Sequence, residues 1–246
     1  MFRILTYNVH RCLGADRRVD VGRVADVIAA EAPDIVALQE VDVGRARTGG
    51  VDQAHALARR LGMAWRFNAA LRVEEEQYGD AILSRHPERL IKAGPLPGHP
   101  RIPRLEPRGA LWVEVQLGGG RRLQVINTHL GLVPLEQQLQ AEALVGDAWL
   151  GAPERRDPLI LLGDFNASRR TRTHRILAGR MESAHALRPS GARRAATFPA
   201  PLPVLRIDHV FVSGGVRVAS LRAVATPHAR VASDHLPLVM EFDLAD

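Results

Sequence analysis

Cysteine is almost absent. Cys12 stands alone, so an intrachain disulfide and a cysteine-based zinc cluster are both excluded. Lysine is equally scarce: Lys92 is the single one among 33 basic residues, and the rest are arginine, which reads most simply as a composition bias. Aromatic residues are few, with six Phe, three Trp and two Tyr, and none interleaves with the arginine-rich stretches. That weakens any stacking platform for single-stranded nucleic acid. No apolar run approaches the roughly 18 residues of a membrane-spanning helix. Met1 leads straight into Phe-Arg-Ile-Leu-Thr-Tyr-Asn-Val, which lacks the basic region, apolar stretch and cleavage site of a signal peptide, so a cytoplasmic location is expected. Sixteen Pro and 21 Gly, without a period, exclude collagen-like or low-complexity chains.

What is present is an ordinary globular composition. Of the 246 residues, 46% are hydrophobic, close to the usual roughly 45–50%. We see no internal repeat and no linker long enough to divide the chain, so one domain over residues 1–246 is expected. The net charge of +6 suits an anionic partner, and equally suits plain solubility.

The apolar pattern predicts mixed elements. Ile4 to Val9 reads as a strand. Asp20 can cap a helix to about Glu31, with Val21, Val24, Ala25 and Ile28 at helical spacing, and Pro33 bars its continuation. Ile35 to Leu38 reads as a buried strand that closes on Gln39 and Glu40. A helix is predicted over Gln53–Leu61. Strands are predicted near 81–84, 111–117 and 123–128, the last two joined through Gly118, Gly119 and Gly120 as a hairpin. Pro134 opens a helix to about Leu150. Later strands fall at 159–162, 206–212, 216–225 and 238–242, and the Pro/Arg-rich stretches 95–108 and 188–206 read as loops. Hairpins among strand–helix–strand units predict an α/β fold with a mixed sheet or two sheets.

One pattern recurs: an apolar strand ends and a polar residue follows at its mouth. Asn8, Glu40, His129 and Asp164 with Asn166 sit this way, while Asp208 with His209 lies within R-I-D-H-V-F-V and Asp234 with His235 precedes L-P-L-V-M. Ligand sites of α/β sheets gather outside strand ends. The set is carboxylate, amide and imidazole, with no thiol and no serine nucleophile. Hard carboxylate oxygens such as those of Glu40 and Asp164 favour Mg²⁺ or Mn²⁺. Asp beside His supplies an oriented imidazole for proton transfer or for stabilising an anion. The Asn166 amide can donate to a phosphoryl oxygen. Together they fit metal-assisted hydrolysis of a phosphoester by direct water attack. Singly each has a bland reading: turn or helix cap for the aspartates, solvated loop for Glu40, satisfied core histidine for His129. The histidines 10, 55, 86, 99, 174, 185 and 228 lack such a setting and read as surface or structural.

The strings T-Y-N-V-H at 6–10, A-L-Q-E at 37–40, G-D-A-I-L-S-R at 79–85, N-T-H-L at 127–130, G-D-F-N-A at 163–167, R-I-D-H-V-F-V-S at 206–213 and S-D-H-L-P-L at 233–238 occur in that order. As a set they resemble the endonuclease/exonuclease/phosphatase superfamily, over nearly the whole chain. The resemblance implies a four-layer α/β/β/α sandwich: two mixed sheets face to face, helices outside, the site at one rim. It implies phosphoester cleavage with a divalent metal, usually Mg²⁺. Carried over by residue, Glu40 resembles the main metal carboxylate, with Asn8 and Asp234 as its helpers. Asp164 resembles the residue that orients or deprotonates the attacking water, with Asn166 beside it on the phosphate. His129 and His235 resemble phosphate and transition-state contacts, and Asp208 the carboxylate that holds His235.

One position departs from the family. Many relatives have Asn where this chain has Asp80, so the acid here either adds a metal contact or keeps the structural hydrogen bonds as a near-isostere. For substrate, N-T-H-L is similar to the sphingomyelinase, deadenylase and general phosphodiesterase branches. Arg169, Arg170, Arg172 and Arg175 after G-D-F-N-A, and Arg101, Arg104 and Arg108 on the Pro-rich loop, either meet a phosphate or form a solvated basic surface. A small or lipid-derived phosphoester is the favoured substrate class, with a nuclease acting on DNA or RNA as the alternative and an inactive binding module a third reading.

Overall fold

Alternation along the first strand decides the layering. In β1 (Phe2–Asn8), Leu5 and Tyr7 face one way and Ile4 the other, as a period of two requires. Leu5 and Tyr7 pack with α1 (Val21–Ala29) and α2 (Gln53–Leu61), through Val24, Ile28, Leu57 and Leu61. Ile4 joins a core that lies between two sheets. A computed structural model describes residues 1–187 and 195–245 of the chain.

The first sheet also contains β2 (Ile35–Val43), β3 (Ala64–Val73), β4 (Glu76–Ser84), β11 (Val216–Ala223) and β12 (Leu238–Leu244), in the order β11-β12-β1-β2-β4-β3. The second contains β5 (Glu88–Pro95), β6 (Gly109–Gln116), β7 (Arg122–His129), β8 (Leu159–Asp164), β9 (Glu182–Ser183) and β10 (Asp208–Ser213), in the order β5-β6-β7-β8-β10-β9. Both are mixed: β1 with β2 and β7 with β8 run parallel, and the other pairs antiparallel. Ile35, Ile82, Met240 and Phe242 of the first sheet meet Val113, Val125, Ile160 and Val210 of the second. Trp112, Ile126, Leu161 and Phe211 face outward from the second sheet, under α3 (Pro134–Val145) and α4 (Arg172–Ala178). The described residues also include two short α-helices, α5 (Ala184–Leu187) and α6 (Ala229–Ala232), and single 3₁₀ turns at His10–Cys12, Ala46–Thr48 and Gly118–Gly120. The result is the four-layer α/β sandwich that the family resemblance implies. Among the described residues no helix is long and apolar enough to cross a membrane.

Several predicted boundaries move. Asp20 and Asp52 cap α1 and α2 as side-chain acceptors from Arg23 N and His55 N. The helix from Pro134 ends at Val145, not near Leu150, because Gly146 takes an extended conformation. β2 does not close at Gln39–Glu40 but continues to Val43 through a register shift between Leu38 and Val41. β3, β5 and α4 have no counterpart among the predicted elements. β3 and β5 are the outer strands of their sheets and largely exposed, so they carry no apolar run to read. The part of the predicted 188–206 loop at 188–194 lies outside the described residues.

Candidate active site

Strand register brings the polar strand ends together. Parallel pairing sets Asn8 opposite Gln39, so Glu40 follows immediately at the same end. In the other sheet His129 lies opposite Asp164, and Asp164 opposite Asp208. The two sheets join here: Asn8 Nδ2 donates to Glu40 Oε1 at 2.9 Å and to Asp164 Oδ2 at 3.0 Å. Beneath this bridge the buried Gln39 Nε2 donates to Asn127 Oδ1 at 2.7 Å. Asn127 Nδ2 in turn donates to the Leu38 and Ala81 carbonyls at 2.8 and 2.9 Å. A buried amide is tolerated only when its donors and acceptors are matched, and this pair is matched across the sheets.

The backbone is unusual at the same rim. Glu40, at the β2 bulge, has φ +58°, and Asn166 has φ +48°. His10, Arg11 and Cys12, which follow β1, have φ of 44°, 49° and 57°. Left-handed conformations in residues other than glycine cost about 1 kcal/mol or more each and collect at functional sites. The bulge has a visible effect: it turns Glu40 toward Asn8 and out of strand alternation.

His235 lies between two carboxylates. Its Nδ1 is 2.9 Å from Asp208 Oδ2 and its Nε2 is 3.6 Å from Asp164 Oδ2. Burial opposes charge on the ring, but Asp208 and Asp164 outweigh it and hold the imidazole well above its ordinary value. Thr197 Oγ1 also donates to Asp208 Oδ2, and Phe198 packs on the ring at 4.8 Å between centroids. Asp164 is raised above the usual carboxylate range by burial, with the charge of Asp208 adding to this. His235, the Asn8 amide and the Asn166 N–H, which donates to Oδ1 at 2.8 Å, oppose that rise.

His129 is the neutral counterpart. Arg108 Nη1 lies 3.1 Å from its Nδ1, and a guanidinium only donates, so Nδ1 accepts and the ring proton sits on Nε2. That Nε2 is 3.5 Å from Asp164 Oδ2. The Asn166 side-chain nitrogen, which donates to the Leu130 carbonyl at 3.0 Å, lies 3.1 Å from this Nε2; both nitrogens are donors, so their approach is a close contact and not a hydrogen bond. Burial, Arg108 and His235 all push the pKa of His129 down. Arg108 is itself held by Glu106 at 2.6 Å and by Tyr78. Asp80, 2% exposed, is pushed up to about 8 by burial, with Arg108 opposing and Glu40 and Asp164 adding.

These groups surround a cleft of about 460 Å³. Glu40, Arg108, His129, Asp164, Asn166, Asp234 and His235 line it. Asn8 and Asp208 sit just behind, bonded to Asp164 and His235. Asp80 is buried beside them. Arg170 is not brought to this cleft; it lines a separate cavity with Arg169. Sequence reasoning passed over Arg11, Arg47, Tyr78, Glu106 and the apolar wall of Leu132, Phe198, Leu205 and Ile207. It also set aside His10, whose Nδ1 is 3.7 Å from Asp234 Oδ1. His10 closes the T-Y-N-V-H string and Tyr78 immediately precedes G-D-A-I-L-S-R, so both had a signal in their position.

The donor set suits a hard cation. Four carboxylates, Glu40, Asp164, Asp208 and Asp234, meet around one cleft, and desolvation penalises the Asp164 charge. A divalent ion offsets such a concentration of negative charge. Asp164, Asp208 and His235 offer three ligand atoms within 4.8 Å of one another. In that trio, however, His235 is held protonated by its two carboxylates, and a protonated imidazole has no lone pair for a metal. The oxygens of Glu40 and Asp234 are the better fit.

The sequence model of the Endonuclease/Exonuclease/phosphatase family matches residues 5–235. The uncharacterized protein YbhP of Escherichia coli K12 is 29% identical over 258 aligned positions, covering 99% of this chain and 96% of YbhP. Among solved structures, an endonuclease/exonuclease/phosphatase from Beutenbergia cavernae superposes with a TM-score of 0.81 at 26% identity, over 99% of this chain and 72% of its own. A mannosyl-6-phosphatase of Bacteroides thetaiotaomicron superposes with a TM-score of 0.79 over 99% of this chain and all of its own; at 18% identity, that likeness concerns the fold alone.

Proposed function

Because this chain belongs to the endonuclease/exonuclease/phosphatase family, whose members are typically phosphoester hydrolases and generally depend on a divalent metal, we propose that it hydrolyses a small or lipid-derived phosphoester by direct attack of water on phosphorus. The observation that carries this reading is the arrangement around Asp164: a desolvated carboxylate beside a charged His235, joined through Asn8 to Glu40.

Glu40, Asn8 and Asp234 would hold Mg²⁺ or Mn²⁺. When bound, the ion polarises the phosphoryl group and stabilises charge on the leaving oxygen. Asp164 accepts the proton of the attacking water, a role suited by a carboxyl pKa raised toward the working pH. His235, held charged by Asp208, donates to a phosphoryl oxygen and stabilises the negative charge that develops there. His129 offers a neutral Nε2–H, kept in that tautomer by Arg108. Asn166 adds its amide at the same wall of the cleft. Arg108, at the wall of the cleft, keeps His129 neutral, and Asp80, buried nearby, interacts electrostatically with Arg108.

Substrate size follows from the cleft. About 460 Å³ fits one phosphoryl group with a modest organic substituent, and Leu132, Phe198, Leu205 and Ile207 give that substituent an apolar wall. Among the described residues two aromatic rings line the cleft. Phe198 is packed on His235, and Tyr78 is 4% exposed with the Arg47 guanidinium over its ring, so neither offers a free face on which a nucleic-acid base could stack.

The test is turnover of bis(p-nitrophenyl) phosphate, sugar phosphates, glycerophosphodiesters, plasmid DNA and RNA, with Mg²⁺ or Mn²⁺ and with EDTA. Metal-dependent turnover of a small ester, abolished by Asp164→Ala, is expected. Turnover unchanged in Asp164→Ala and His235→Ala sinks the assignment, and cleavage of nucleic acids alone replaces the substrate class with the nuclease reading.

A further inference from the structure

A second cavity, of about 420 Å³, is lined by Arg169, Arg170, His174, Ser183, Arg206 and His209 among others. It opens on the other side of β10 from the catalytic cleft. Side chains alternate along that strand: Val210 and Val212 join the core between the sheets, with Asp208 on their side, whereas Phe211 faces outward, and His209 with it. No carboxylate lines this cavity among the described residues.

Its wall carries polar atoms that lack a partner. His209 is 1% exposed, and its Nε2 lies 2.8 Å from the Ala167 carbonyl. A carbonyl only accepts, so Nε2 holds the ring proton. In the neutral ring Nδ1 is then a bare lone pair, and among the described residues it has no hydrogen-bond partner. Burial, with His185 adding, pushes the pKa of His209 down to about 3, so the ring stays neutral at working pH. Ser183 Oγ and His174 Nε2 are buried and likewise unpaired. Buried unpaired groups are rare enough to need an explanation.

We propose that this cavity is a phosphate-selective binding site, in which Arg169 and Arg170 meet the charge of a hydrogen phosphate ion and its P–OH donates to His209 Nδ1. The chemistry separates phosphate from its nearest analogue. Sulfate carries no proton at neutral pH, so one of its oxygens would face the His209 lone pair, acceptor against acceptor. Arginines at the wall also disfavour a metal cation there. The site is tied to the G-D-F-N-A loop through the bond between His209 and Ala167, but it needs no catalytic metal.

Calorimetric titration of the full chain in EDTA with inorganic phosphate, and with sulfate at matched ionic strength, tests this. Phosphate is expected to bind wild type and Asp164→Asn alike, and sulfate at least about tenfold more weakly, the cost of one unmet buried acceptor. Arg169→Gln with Arg170→Gln, and separately Ser183→Ala, should each weaken phosphate by about tenfold or more. In histidine ¹⁵N spectra the His209 Nδ1 resonance should move with phosphate and not with sulfate. Equal affinity for the two anions, no binding in EDTA, or binding lost in Asp164→Asn but kept in the arginine variants would overturn the proposal. Turnover assays report on the catalytic reading independently.

Discussion

Neutralising Glu40 should uncouple this protein's stability from divalent metal. Glu40 and Asp164 share one Asn8 amide, at 2.9 and 3.0 Å, and Asp234 lines the same cleft. A ligand that binds only the folded state at about 100 times its Kd stabilises that state by about 2.7 kcal/mol. In a chain of this length each kcal/mol moves Tm by roughly 2–4 °C, so Mg²⁺ or Mn²⁺ should raise Tm by about 5–11 °C. Glu40→Gln keeps the shape and the hydrogen bond from Asn8 but removes the charge. In EDTA its Tm should equal or slightly exceed wild type, because Glu40 adds to the charge that Asp80 must bear. With metal, the rise should shrink to about 2 °C or less at the same concentration. Differential scanning calorimetry with each ion and with EDTA makes the comparison, with the exposed Glu74→Gln as control. A full metal shift in Glu40→Gln, or no shift in wild type with either ion, would refute the placement of the ion.

Three further outcomes follow from named contacts. Asp208→Asn removes the carboxylate 2.9 Å from His235 Nδ1, so activity should fall by roughly 10²–10⁴, and the alkaline limb of kcat/KM should move to lower pH; an unmoved limb contradicts the charged His235. Asp80 keeps a proton in the folded state up to about pH 8 that it loses near its ordinary value when unfolded, so the fold binds more protons in that window and loses stability as pH rises through it. Asp80→Asn, measured by urea denaturation in EDTA, should therefore gain more at pH 8 than at pH 5, by up to about 4 kcal/mol; equal gains at both pH values would show that Asp80 is ionised in the fold. Asn127→Ala strips Gln39, Leu38 and Ala81 of buried partners and should cost about 2–5 kcal/mol, read as a lower urea midpoint with unchanged m-value.

Legibility in the sequence tracked burial. α2 is read at its true limits and β8 nearly so, because each carries a dense apolar signal: one face of Ala54, Leu57, Ala58 and Leu61, and the run Leu159–Leu162. β3 and β5 were invisible because outer strands bury little and so carry no such run. The polar residues at strand ends were visible as a list, and strand register is what turns Asn8, His129, Asp164 and Asp208 into neighbours. Glu40 looked like the residue after a strand. It is inside one, and only the bulge and its left-handed backbone aim it at Asn8. Arg170 shows the opposite limit: closeness in sequence to G-D-F-N-A suggested the catalytic phosphate, yet the chain turns after Ala167 and carries it to the other cavity. Arg11 and Arg47 reach the cleft from single 3₁₀ turns, at His10–Cys12 and Ala46–Thr48, and Phe198 from a connecting segment, all too short to carry a readable periodic pattern.

Water attack on phosphorus, assisted by Asp164, is the core of the proposed mechanism and has a direct isotopic test. Hydrolysis of bis(p-nitrophenyl) phosphate in ¹⁸O-enriched water, with Mg²⁺ or Mn²⁺, should place one labelled oxygen on the phosphate product and none on the phenol, and Asp164→Asn should lose the reaction by about 10²-fold or more. Label in the phenol, or undiminished labelled product from Asp164→Asn, would contradict the mechanism.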